Sequence, residues 1–187
     1  MLLGIIEASL EAKQFDLAFQ AAQKIEDEGD RSDVLWKIAE AAAEAGQFDL
    51  ALQAAKEIKD SWDRSSVVGE IIIASAKAGQ FDFAIQTAQE IKNTLDRLGV
   101  LKEISELAVE AGQFDFAIQA FNLAIQATQE IGYARTYSWM LLEITEALVE
   151  AGQFARVIKV TETIEDDYLR SQILDTIMAA KQEKEEQ

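Results

Sequence analysis

The sequence predicts an all-α fold, a right-handed α-solenoid of about five helix-turn-helix repeats followed by a C-terminal helix. Three observations indicate it: a recurring pentapeptide, apolar residues at helical spacing on both sides of it, and an alanine-rich composition without proline. The pentapeptide Ala-Gly-Gln-Phe-Asp begins at Ala45, Ala78 and Ala111, a period of 33 residues. Variants begin at Ala12, 33 residues before the first copy, and at Ala151, 40 residues after the third. A fixed period of this size is typical of stacked repeats.

Each repeat is predicted to be a pair of helices, A and B, as residues 31–59 illustrate. The apolar positions of helix A recur every three or four residues, at Val34, Leu35, Ile38, Ala39 and Ala42. Gly46 is expected to end helix A in a left-handed conformation, and Phe48 to lock helix B against helix A. Asp49 suits the positive N-terminal end of helix B. The apolar stripe of helix B includes Phe48 and continues at Ala51, Ala55 and Ile58.

The turn between repeats has its own signature. The pairs Asp30-Arg31, Asp63-Arg64 and Asp96-Arg97 recur at the same period of 33 residues, and Arg170-Ser171 restarts the pattern. We expect the aspartate of each pair to cap the next helix A. The eleven helices predicted lie near residues 2–12, 15–27, 31–45, 48–59, 64–78, 81–93, 97–111, 114–130, 135–151, 154–165 and 168–184.

Composition limits the chemistry that the chain can perform. Its 187 residues, 49% of them hydrophobic, suffice for a single domain with a packed core, predicted to span residues 1–187. The sequence contains no cysteine and no histidine, which removes disulfides, thiol chemistry, most zinc sites and the usual general base near neutral pH. We therefore expect no catalytic residue, no metal and no cofactor.

The formal net charge of −17 bears on the choice of partner. Nucleic acids and anionic membrane surfaces attract lysine and arginine, so both are disfavoured as partners. A basic or amphipathic protein is the natural complement, although an acidic surface also serves solubility alone. The N-terminus lacks the features of a signal peptide and no apolar run approaches a membrane span, so a cytoplasmic protein is expected.

The repeat resembles the tetratricopeptide repeat family. In that family a small residue lies seven positions before a turn glycine, an aromatic residue follows two positions after the glycine, and an alanine three later. Ala39, Gly46, Phe48 and Ala51 match this spacing. The period departs from the family's value of about 34 residues, and the usual proline at the end of helix B is missing. Small residues replace the large aromatic of helix A, at Ala42, Ser75 and Ala108.

The resemblance implies that the inner sides of the A helices line a concave groove that binds a peptide. Large aromatic residues and a helix-interior glycine stand among the implied positions, and such aromatics anchor interfaces. The groove is expected to be acidic and to bind its partner through Asp33, Trp36, Glu40, Gly69, Lys102, Glu106, Trp139 and Glu146. The alternative is drift on an unconstrained surface, with the tryptophan rings folded onto a neighbouring helix.

A second candidate surface follows from the 40-residue interval. The segment Ala117-Ile118-Gln119-Ala120 is echoed by Ala124-Ile125-Gln126-Ala127, which indicates seven residues inserted within helix B. The extension is expected to project an apolar ledge for a partner or for self-association, formed by Phe121, Tyr133 and Tyr137. The alternative is that the adjoining helix A lengthens too and buries these rings.

Together these observations predict a non-enzymatic protein-protein interaction module that binds a basic or amphipathic peptide or helix in an acidic groove. The alternative is a structural spacer or self-assembling scaffold whose groove holds no ligand.

Overall fold

The computed structural model describes residues 2–131 and 134–185, with side chains at 2–130 and 138–182, and in these ranges the chain forms eleven α-helices and no β-strand. The all-α prediction is confirmed. We call α1, α3, α5, α7, α9 and α11 the A helices and the others the B helices. The helices are α1 (Leu2–Glu11), α2 (Phe15–Ala22), α3 (Glu28–Glu44), α4 (Phe48–Lys56), α5 (Ser61–Lys77), α6 (Phe81–Gln89), α7 (Thr94–Glu110), α8 (Phe114–Ile131), α9 (Ala134–Glu150), α10 (Phe154–Thr161) and α11 (Asp167–Glu185).

The chain divides into two compact units, Met1–Ala78 and Gly79–Gln187. In the first unit α3 contacts its own B helix, α4, and the next A helix, α5, while α2 contacts α4. In the second unit α7 contacts α8 and α9, α9 contacts α11, and α8 contacts α6 and α10. Within each unit, therefore, like helices lie side by side, as expected of stacked repeats. The solenoid and the single domain over 1–187 stay predictions.

A left-handed turn follows each of the helices α1, α3, α5, α7 and α9. Gly46 has a φ of +76°, its backbone N–H donates to the carbonyl of Ala43 at 2.9 Å, and that of Gln47 donates to Ala42 at 2.8 Å. The two bonds pair carbonyls that a helix end would otherwise leave unsatisfied. A positive φ recurs at the equivalent residues Lys13, Gly79, Gly112 and Gly152. The predicted turn at Gly46 is confirmed.

An aromatic residue opens every B helix. Phe15, Phe48 and Phe81 are 3%, 4% and 3% exposed, so the predicted lock is confirmed at these positions. Phe114 and Phe154 are half-buried. The apolar stripes predicted for residues 31–59 are also confirmed, because every residue in them is buried.

The prediction that Asp30, Asp63 and Asp96 cap the A helices is wrong. The caps lie three residues earlier, and each accepts a hydrogen bond from the backbone N–H of one of these aspartates, at 2.9, 2.9 and 3.4 Å. The capping residues have ψ angles of 124°, 131° and 115°, an extended backbone that a preceding helix cannot enter. Helices A therefore begin, and helices B end, earlier than predicted. The capping residues are Asp27, Asp60 and Asn93.

The arginine of the loop motif joins the two helices that flank each described inter-repeat loop. Its Nη1 donates to the carbonyl of an isoleucine six residues earlier, at 2.8, 2.7, 3.0 and 2.8 Å in the four loops. The isoleucine follows the end of helix B and the arginine lies in the first turn of helix A. Each bond therefore fixes the angle between successive helices. The pairs are Arg31 with Ile25, Arg64 with Ile58, Arg97 with Ile91, and Arg170 with Ile164.

The inserted residues lengthen α8, which has 18 residues where α6 has 9. Seven residues turn about 700°, roughly 20° short of two full turns, so the buried side of the helix stays nearly in phase. The helix A on either side does not lengthen, since α7 and α9 keep the 17 residues of α3. Buried residues continue along one side of α8 at Ala117, Ala120, Phe121, Ala124 and Thr128.

The same Gly→Ala change should have opposite effects at a turn and within a helix. Gly46→Ala is expected to lower the free energy of unfolding by about 1 kcal/mol, because alanine disfavours a left-handed backbone. Gly99→Ala, inside α7, is expected to raise it by about 0.5 to 1 kcal/mol. A Cβ at either position meets no atom within 4 Å, so backbone conformation alone decides the sign. Urea denaturation measures both changes, and shifts of the same sign would contradict the prediction.

Arg64→Met should lower the free energy of unfolding by about 1 to 3 kcal/mol, because it removes a charged donor from a part-buried carbonyl. The matched control is Arg156→Met, which breaks an exposed ion pair with Asp115 and should cost less than about 1 kcal/mol. Urea denaturation again gives both values. Equal decreases in the free energy of unfolding would show that the hydrogen bond of Arg64 stabilises the protein no more than an exposed ion pair does.

Candidate functional site

The residues predicted to bind a partner lie on α3, α5, α7 and α9, in two groups. Four belong to the first unit and four to the second. In the first unit they are Asp33, Trp36 and Glu40 on α3 and Gly69 on α5; in the second, Lys102 and Glu106 on α7 and Trp139 and Glu146 on α9. Asp33, Glu40, Trp139 and Glu146 are exposed, and the other four are half-buried.

One side of α9 presents an aromatic ring followed by three acids. Trp139, Glu143, Glu146 and Glu150 recur at spacings of four, three and four residues, which places them on one helix face. Trp139 is 49% exposed, and the three glutamates are exposed as well. Glu143 was not among the predicted residues, because its repeat position is not one of those that the resemblance implies for the groove.

The same positions of α7 are acidic too. The α7 residues that lie 40 positions before those of the α9 face are Gly99, Glu103, Glu106 and Glu110. Since α7 and α9 are in contact, the two rows of carboxylates lie on neighbouring helices. We call this surface the acidic face; it consists of Glu103, Glu106, Glu110, Trp139, Glu143, Glu146 and Glu150.

Lys102 bridges the two rows of the acidic face. Its Nζ donates to Glu106 Oε1 at 2.8 Å and to Glu143 Oε2 at 2.7 Å, and its side chain is 19% exposed. Burial of Lys102 lowers its pKa, but the hydrogen bonds and charges of Glu106 and Glu143 outweigh that effect, so the pKa of Lys102 is raised. The ammonium is therefore charged at neutral pH and holds α7 against α9.

The corresponding face of the first unit is mixed rather than acidic. On α3 the equivalent positions hold Asp33, Lys37, Glu40 and Glu44, and on α5 they hold Ser66, Glu70, Ile73 and Lys77. Lysines thus interrupt the acids on both helices. Trp36, predicted as an exposed anchor, is half-buried. The strongest concentration of negative charge is in the second unit.

The predicted ledge is wrong at Phe121. Its ring is fully buried, because the extension of α8 keeps its apolar side in phase with the core. Tyr133 lies outside the described residues, and so does the side chain of Tyr137. These two residues stay a prediction.

Sequence reasoning missed Trp62, which is 75% exposed in the first turn of α5. The helix was expected to begin near residue 64, so Trp62 was placed in a loop. The signal that could have found it is Asp60, whose side chain caps α5 two residues earlier. Leu95 holds the same repeat position and is 42% exposed.

In the described part of the chain, residues 2–131 and 134–185, no three acidic residues are grouped so as to hold a metal ion. No helix within these ranges combines the length and apolar character needed to cross a membrane.

No protein-family model matches the chain, and a search of curated proteins found no match. The resemblance to the tetratricopeptide repeat therefore stays a prediction. Among solved structures, the chain is similar to the crystal structure of Ton1535 from Thermococcus onnurineus NA1, with 20% identity and a TM-score of 0.37. The match covers 96% of this chain and spans 58% of the length of that one. A similarity at this level carries no argument about function.

Proposed function

We propose that this chain is a non-enzymatic protein-interaction module that binds a basic or amphipathic peptide or helix on the acidic face of α7 and α9. The observation that carries the proposal is the pair of adjacent carboxylate rows with an exposed tryptophan at the start of one row. The proposed surface lies in the second unit, whereas the groove expected from the sequence ran along the A helices of the whole chain.

Charge supplies the attraction in this proposal. Six glutamates stand on two helices in contact, and Lys102 pairs with two of them. The whole chain adds a net charge of −17, so its field draws cations from a distance and repels anions. Such complementarity raises the association rate and selects partners more than it raises affinity.

Trp139 supplies the anchor. It stands four residues before Glu143 on the same side of α9, and about half of its surface is exposed. An exposed indole face attracts ammonium and guanidinium groups, and large aromatics dominate binding energy at interfaces. An apolar or cationic side chain of the partner therefore has a contact beside the carboxylates.

The chemistry of the surface favours binding over catalysis. Acid-base catalysis uses groups whose pKa is shifted by burial or by a close charge. The carboxylates of the acidic face are exposed, apart from the half-buried Glu106. The alternative, a structural spacer or self-assembling scaffold, is favoured by two exposed apolar residues one turn apart on α11, Leu174 at 38% and Met178 at 56%.

The test is titration of a labelled helical peptide that carries lysine at every fourth position. Affinity should fall at least tenfold between about 0.05 M and about 0.5 M NaCl, because salt screens exposed charges. Glu146→Gln should weaken binding at low salt by about twofold to fivefold. Trp139→Ala should weaken it at both salt concentrations. Fluorescence anisotropy gives all of these affinities.

The control variant is Glu165→Gln, which makes the same charge change at an exposed loop residue that is not part of the acidic face. Equal effects of Glu146→Gln and Glu165→Gln, or an affinity that ignores salt, would contradict the proposed site. If the peptide does not bind and the molar mass of the protein in solution rises with its concentration, the self-assembling scaffold is favoured.

A further inference from the structure

The acidic face already holds a cation of its own. The ammonium of Lys102 lies between carboxylates of two neighbouring A helices, at 2.8 Å from Glu106 and 2.7 Å from Glu143. It occupies the position that a lysine of a basic partner would take on this surface. Glu103, Glu110 and Glu146 carry further negative charge on this face.

The repeats show that a lysine is not needed there for packing. The equivalent positions of α3, α5 and α9 hold Trp36, Gly69 and Leu142. These side chains share no size, charge or polarity, so the helix pair stacks without a fixed residue at this point. The lysine is therefore a feature of this face rather than of the repeat.

We propose that Lys102 is an intramolecular competitor that the basic partner must displace from Glu106 and Glu143. This inference rests on the proposed function and adds its regulation. The side chain is long and flexible, and its ammonium forms hydrogen bonds without the rigid geometry of arginine. It can therefore leave the two carboxylates and extend into solvent when another cation takes its place.

Competition of this kind sets selectivity. A partner with one cation takes the place of Lys102 at the two carboxylates. It gains little affinity, because its ion pairs are of the same kind as those that Lys102 gives up. A partner with several cations at helical spacing also contacts Glu110 and Glu146, which lie further along the same faces. Lys102 thereby discriminates against weakly basic ligands.

The experiment measures the affinity of the same lysine-bearing helical peptide for the wild type and three variants at low salt. Lys102→Met should bind the peptide about threefold to tenfold more tightly than the wild type, since the partly exposed carboxylates of Glu106 and Glu143 become available. Lys37→Met removes the same charge from α3 in the first unit and should leave the affinity within about twofold. A Lys102→Gln variant, which keeps a polar side chain, should reproduce the gain. Circular dichroism confirms that each variant is folded.

A second measurement identifies the carboxylates that are released. Adding Glu143→Gln to Lys102→Met should return the affinity to near the wild-type value. If Lys102→Met and Lys37→Met tighten binding equally, net charge alone acts and the competitor is excluded. If the wild type binds but Lys102→Met and Lys102→Gln bind no better, Lys102 has only a structural role and the proposed function stands. If wild type and variants all fail to bind, the proposed function itself is wrong.

Discussion

The hydrogen bond from the loop arginine to the isoleucine carbonyl is the contact on which the rest of each repeat junction depends. It recurs in four loops at 2.7 to 3.0 Å, always across six residues. A side-chain cap four residues before the arginine, as at Asp60 before Arg64, starts the next helix A in a fixed register. The register of every following helix A, and the side that it exposes, is determined at this point.

The opposite end of helix A is closed by backbone hydrogen bonds alone. A residue with positive φ and two carbonyl bonds end the helix, and the phenylalanine two positions later begins helix B in the core. With both ends fixed, the exposed face between them is free to vary without loss of packing. That freedom explains why one position holds Trp36, Gly69, Lys102 and Leu142. The proposed recognition therefore uses residues that the repeat does not constrain.

Periodicity predicted the helix number, the turn glycines and the core positions, because these follow from spacing and residue size along the chain. It failed where two equally suitable residues compete locally. Asp27 and Asp30 are both able to cap α3, and in the structure Asp27 does so, beside the bond of Arg31 to Ile25. Phe121 was misplaced because the added residues were expected to project from the repeat, whereas seven residues keep the buried side of α8 nearly in phase with the core. To predict the Lys102 bridge, one must know how far α7 and α9 are shifted along their axes relative to each other, and sequence spacing alone does not give that shift.

The surface proposed to bind cationic helices combines negative charge, exposure and an aromatic residue, and all of its residues lie on the A helices α7 and α9. Backbone chemical-shift mapping of the ¹⁵N-labelled protein with the lysine-bearing helical peptide tests this most directly. The account predicts shifts at Gly99, Glu106, Glu146 and the indole N–H of Trp139, with little change at exposed B-helix residues such as Gln126. Shifts confined to the B helices, or spread evenly over both kinds of helix, would contradict it.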